Sequence, residues 1–304
     1  MGNPAPPYGP QYGHGYAYPH PPPPYPPELP EPATRWPPWP WWYGFAAAGV
    51  GFIATLFVVA IIAVAAAAAG ADNVEDSKGF LQGATLAQQI IFCAVAVFFA
   101  ARTLRPRAWH FGLRRSRFWP AVGWAAVGFA AYWFLAIMYG LLVSPDSEQE
   151  TLEDLGTEEG TVWLVGAALL VITFAPIAEE FFFRGFFYRA LRTKLPIALA
   201  AGIDGVLFGG IHIGSTPAEI LPVLMILGVI FCLVYEKTGT LFSVIALHAL
   251  NNTLAFGVST EEWEVAGIVG GLTLAGCMIL PRLLPNQATP APAMGATAPD
   301  PGRS

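Results

Sequence analysis

Six side chains in this sequence of 304 residues could handle a proton or a developing oxyanion: Glu179, Glu180, Arg184, His212, His248 and Asn252. All lie in or at the ends of apolar runs, where an ionisable group costs roughly 2.5–3.5 kcal/mol to insert into lipid. A carboxylate in a dry setting can serve as a general base, an imidazole can orient a water, and amide or imidazole donors suit an oxyanion. Such a set can hydrolyse an acyl bond with water as the nucleophile, without serine or cysteine.

Spacing divides the roles. At 100° per residue Glu180 and Arg184 share a helix face, four apart with the acid first, so they can pair and offset each other's desolvation. Glu179 points away from that pair and has no partner on its own helix, which leaves it for chemistry. The pair is equally consistent with a plain intrahelical brace. His248 and Asn252 are also four apart and project from one stripe, with Asn251 on the same side as a substitute. His212 follows the turn near Leu195 and Pro196 by about as many residues as Glu180 precedes it. Antiparallel helices rising about 1.5 Å per residue would therefore bring the two to similar depth. Phe208, one turn before His212, would pack beside it. A lone membrane histidine can also do no more than bond a carbonyl, and Asn and His commonly join membrane helices. Convergence from three helices is what favours a site. Asp204, Gln88 and Gln89 are further intramembrane polar groups to which the sequence assigns no role.

The set Glu179-Glu180-x-x-x-Arg184, Phe208-x-x-x-His212 and His248-x-x-x-Asn252 closely resembles the CPBP family. These are the CAAX protease (CAAX prenyl protease 2-like) and bacteriocin-processing, or Abi, intramembrane peptidases. The resemblance covers about 161–257, and all three motifs stand in the family's order. It implies that Glu179 acts as general base with His212 on a water, and that His248 and Asn252 stabilise the oxyanion. Glu180, Arg184 and Phe208 would support them. It also implies a membrane-embedded or lipidated protein or peptide as substrate and no cofactor beyond the catalytic water. Two histidines and a carboxylate are a common zinc set, so a divalent metal stays open on residue types. No His-Glu-x-x-His helix is present, however, and a metal-free glutamate mechanism ranks first. Two other classes compete: a proton-coupled transporter relaying through Glu179, Asp204, His212 and His248, and a non-catalytic membrane scaffold or immunity protein of the same family.

The elements that must position these residues are membrane helices. The chain is 55% hydrophobic and only 12% charged, with a mean hydropathy of +0.51, whereas soluble domains carry about a quarter charged residues. Lipid is the expected solvent, and the net charge of −6 without a basic tract excludes a nucleic-acid partner. Apolar runs near 44–70, 84–104, 119–143, 161–190, 197–214, 217–235, 241–257 and 265–281 predict an all-α polytopic bundle of about eight transmembrane helices. Cys93, Cys232 and Cys277 lie inside such runs and read as packing residues.

Arg102, Arg105, Arg107, Arg114, Arg115 and Arg117 crowd the second connection and Arg189, Arg192 and Lys194 the fourth. The third connection holds Asp146, Glu148, Glu150, Glu153, Asp154, Glu158 and Glu159 and no basic residue. The positive-inside bias then predicts cytoplasmic N- and C-termini in a multi-pass protein of the cell membrane. The N-terminus lacks a signal-peptide pattern, so the first apolar helix is expected to direct insertion itself. Residues 1–40, rich in Pro, Tyr and Gly, read as a disordered tail that could dock a partner through its Pro/Tyr stretches, and 283–304 as a second disordered tail. Trp36, Trp39, Trp41, Trp42 and Tyr43 suit the bilayer interface. The helical domain is expected over 41–282.

Overall fold

The computed structural model describes residues 37–70, 74, 77–143 and 151–284, so most of both expected tails, together with Trp36, Asp146, Glu148 and Glu150, lie outside the described residues. The described chain is an all-α membrane bundle. Its helices are α1 (Tyr43–Ala68), α2 (Lys78–Ala101), α3 (Phe118–Val143), α4 (Thr161–Leu191), α5 (Ile197–Gly210), α6 (Leu221–Thr238), α7 (Leu241–Thr260) and α8 (Trp263–Leu283). Seven of these are long and apolar enough to cross a membrane.

The exception is α5, whose 14 residues rise only about 21 Å, short of a hydrocarbon core of about 30 Å. The expected span to residue 214 therefore ends early, and α6 begins at 221 rather than 217. The local cause is legible: Gly209-Gly210 weakens the helix, Gly214 turns at φ +95°, and Pro217 bars helix for the residue before it. In contrast, α2 starts six residues earlier than its apolar run. Lys78 there pairs with Glu159 at 3.5 Å, and Gln82 donates to the carbonyls of Leu155 and Trp163. These bonds tie the start of α2 to the connection before α4, at one end of the bundle.

At the other end four connections meet. Arg114 Nε donates to the Gly239 carbonyl at 2.6 Å, and Leu241 N donates to the Gly112 carbonyl. Trp39 is wedged between Phe111 and Phe186, with ring centroids 5.2 and 5.1 Å away, and Thr193 Oγ1 donates to its carbonyl. Trp39 is thus a core residue and not an interfacial one, because Pro37 and Pro40 turn the chain inward before α1. Trp41 and Trp42 are about half exposed. Glu236 accepts from Tyr188 Oη at 2.9 Å and from Arg192 Nε at 2.5 Å, and Arg189 donates to Tyr235 Oη.

His110, in the one-turn 3₁₀ segment Ala108–Phe111 at this end, accepts the Arg107 backbone N–H at Nδ1 over 2.9 Å. Burial first, then the charges of Arg189 and Arg107, lower its pKa from 6.5 to about 4. The folded pKa lies below the unfolded value, so the stability held by the neutral ring is complete above about pH 6.5 and is lost as pH falls toward 4. The unfolding midpoint in detergent should drop across that window. His110→Asn, which keeps an acceptor near the Nδ1 position, should flatten the drop; an unchanged pH profile in the variant would refute this assignment.

The close crossing of α5 and α6 is built on glycine. A Cβ on Gly205 would lie 2.7 Å from the Met225 carbonyl oxygen and 2.9 Å from Val229 N, and one on Gly209 would lie 2.9 Å from Met225 N. Gly228 meets the Gly205 Cα across the same contact. Backbone atoms cannot yield as a side chain can, so Gly205→Ala should force the helices apart and cost about 1–3 kcal/mol. Gly202 has open space at the corresponding position, and Gly202→Ala should not lower the unfolding midpoint. Equal midpoints for the two variants would show that α5 does not depend on this contact.

Candidate active site

Helix α4 carries two π-helical turns, Leu169–Phe174 and Phe183–Phe187, which bracket the α-helical stretch Ala175–Phe182 holding Glu179 and Glu180. Single π turns inside α-helices concentrate at functional sites, and the first has a cause in the sequence. In a π turn each carbonyl accepts from the N–H five residues on, as Leu170 does from Ala175. The partner of Val171 would be residue 176, a proline without an N–H. Its carbonyl is taken instead by Asn252 Nδ2 of α7 at 2.9 Å. One amide hydrogen of Asn252 is thereby fixed.

Glu180 is fully buried. Its Oε1 accepts from Arg184 Nη1 at 3.0 Å and from His248 Nδ1 at 2.9 Å. The intrahelical pair expected from spacing therefore forms, and it also anchors an imidazole from α7. Glu179 points away from that pair along the helix, yet its Oε2 lies 3.9 Å from His248 Nε2. One ring thus stands between both acids. Glu179 also faces α2, where Gln89 Nε2 donates to its Oε1 at 3.5 Å. With its side chain 12% exposed against 0% for Glu180, it is the more accessible of the two acids.

Arg184 extends across the bundle. Its Nη2 donates to the Gly228 carbonyl of α6 at 2.7 Å, and its guanidinium lies 4.5 Å from the Phe208 ring centroid and 5.1 Å from that of Phe231. Such stacking suits a planar, weakly hydrated cation buried among aromatics. Phe208 is the hub of the arrangement: its ring is 5.6 Å from that of His212 and 5.7 Å from that of His248.

His212 sits in the turn just beyond α5 and is half-buried. Its Nδ1 meets the Phe208 carbonyl at 2.9 Å. A carbonyl can only accept, so Nδ1 carries the proton and Nε2 presents a lone pair, the tautomer that can orient a water. Among the described residues His212 forms no ion pair with either glutamate, and it joins the cluster through the Phe208 ring. The Nδ1 of His248 is likewise the donor toward Glu180, so its Nε2 donates only when the ring is doubly protonated.

The structure gives partners to two residues without a role in the sequence reading: Gln89 on Glu179, and Asp204 on Arg184 at 3.4 Å. The one signal available in sequence was their cost, as polar groups in apolar helices. Asn251 is buried with its Oδ1 unpartnered and does not take the place of Asn252 on Val171. Among the described residues no three His, Cys, Asp or Glu side chains gather so as to hold a metal ion.

A stretch of 118 residues is 31% identical to the uncharacterized protein YyaK of Bacillus subtilis (strain 168), covering 36% of this chain and 39% of that protein. The chain thus matches well under half of that relative's length. No solved structure matches significantly. Residues 161–254, which hold all seven motif side chains, match the type II CAAX prenyl endopeptidase family described as Rce1-like. That match falls on the motif core and supports the resemblance that the three motifs carry to the CAAX protease family.

Proposed function

We propose that the protein is an intramembrane endopeptidase of the glutamate type, cutting a membrane-embedded or lipidated protein or peptide near its end. The observation that carries this reading is Glu179: a partly exposed carboxylate beside an imidazole anchored from behind by a buried carboxylate, within a segment of the protease family.

In this mechanism Glu179 takes a proton from a water oriented by the free Nε2 of His212. The hydroxide attacks the scissile carbonyl carbon, and the carbonyl oxygen becomes an oxyanion. Asn252 Nδ2 and the His248 ring stabilise that oxygen. Collapse of the tetrahedral species breaks the C–N bond, and Glu179 returns its proton to the leaving amine. Water is the nucleophile and no resident cofactor is used. The protein works in the cell membrane with both termini in the cytoplasm, and its Pro/Tyr-rich tail recruits a partner.

The test is a comparison of protein termini in membranes of cells that carry the native chain or Glu179→Gln. New termini confined to cells with the native chain support the reading and identify the substrate. Identical sets would sink it.

A further inference from the structure

Asp204 takes no part in the three motifs or in the mechanism above, yet it is fully buried and lies against the group that organises them. Its Oδ1 is 3.4 Å from Arg184 Nε and accepts the Cys232 thiol at 3.1 Å. Arg184 therefore bonds Glu180 on α4 through Nη1 and Gly228 on α6 through Nη2, while its Nε, which makes no hydrogen bond, pairs by charge with Asp204 on α5.

That sharing has a geometric consequence. A guanidinium facing a single carboxylate favours a two-bond fork that occupies both oxygens. Here Nε faces Asp204, and Glu180 receives Nη1 alone, on Oε1, the oxygen that also accepts His248. Glu180 Oε2, Asp204 Oδ2 and Arg184 Nε are all buried without a hydrogen-bond partner, so Asp204 holds the Nε edge by charge alone. The fork is divided between two acids, and the division sets the angle at which Glu180 meets the imidazole.

We propose that Asp204 is a positioning residue for catalysis. By holding the Nε edge of Arg184 it prevents a two-bond Arg184–Glu180 fork and so fixes the ring of His248 toward the scissile carbonyl. This assignment rests on the peptidase reading of the site.

The test uses the full chain in proteoliposomes, with peptide cleavage and the His248 Nδ1–H proton resonance of the histidine-labelled protein as separate readouts. In folded Asp204→Asn, kcat should fall about tenfold with KM within about twofold, as expected when reacting groups are misaligned but binding is intact. The resonance should move as well. Asp204→Glu should fall between Asp204→Asn and the native chain. Cys232→Ala, which removes the other partner of Asp204, should keep native kcat and resonance. A folded Asp204→Asn with native kcat and an unmoved resonance would overturn the assignment, as would an equal loss in Cys232→Ala. Should Asp204→Asn not fold, native values of both readouts in Asp204→Glu would overturn it. If the native chain cleaves nothing while the resonance still moves with Asp204→Asn, the peptidase reading fails and the positioning contact stands. Cleavage that depends on Glu179 but is indifferent to Asp204 gives the reverse.

Discussion

Glu179→Gln should lower kcat for peptide cleavage by about 10²–10⁴, the range that a positioned general base contributes. The substitution removes the proton acceptor and changes almost nothing else. Glutamine has the same shape, its amide oxygen can still accept from Gln89 Nε2, and the side chain keeps its partial exposure. The unfolding midpoint in detergent and the KM should therefore stay close to native, so that the loss falls on the chemical step. The measurement is cleavage of a membrane-anchored peptide by purified protein in proteoliposomes. A variant that folds and cleaves at the native rate would remove Glu179 from the chemistry. Glu180 offers the contrast, because its two bonds to Arg184 and His248 are structural as well as functional. Glu180→Gln should lose stability and activity together.

Arg184→Met is expected to cost about 3–5 kcal/mol of stability, the effect of removing one partner from a buried ionic cluster. Methionine fills much of the space and packs well against Phe183, Phe208 and Phe231, which surround the guanidinium. What it cannot do is balance Glu180 and Asp204, two carboxylates with no exposure at all. Both would be left in a dry interior, and the Gly228 carbonyl would lose its donor. Lysine should rescue poorly, since a single ammonium cannot bond Glu180 and Gly228 together and also stay beside Asp204 as a planar guanidinium does. The variant should show a sharply lower unfolding midpoint in detergent and a reduced folded yield from membranes. A native midpoint in Arg184→Met would mean that the two carboxylates are not held by this charge. The conservation of charge within the cluster also explains why Glu180 and Arg184 could not be separated into brace and machinery from spacing alone. They are one structure, and His248 is mounted on it.

The Pro176 effect illustrates how a local rule acts at a distance. A proline in a membrane helix frees a carbonyl, which must find a donor because lipid offers none. The donor comes from a helix more than seventy residues away in sequence, Asn252 of α7. The side chain proposed here for oxyanion binding therefore also joins α7 to α4, and its loss should disturb both.

What the sequence by itself determined was everything that depends on the solvent and on the pitch of a single helix. Apolar length identified the helices, and the four-residue spacing predicted the Glu180–Arg184 contact. Both follow from local geometry in a medium without water. Composition could not tell a full span from the short helix α5, since Gly209, Gly210 and Gly214 are counted as apolar while they end it. Only the tertiary structure decided the rest. It set Gln89 against Glu179 and divided Arg184 between Glu180 and Asp204. It seated Trp39 in the core and closed the bond from Asn252 to Val171. Each of these depends on the distance and rotation between helices. Those are fixed by contacts such as the glycine crossing of α5 with α6, and no spacing along one helix encodes them.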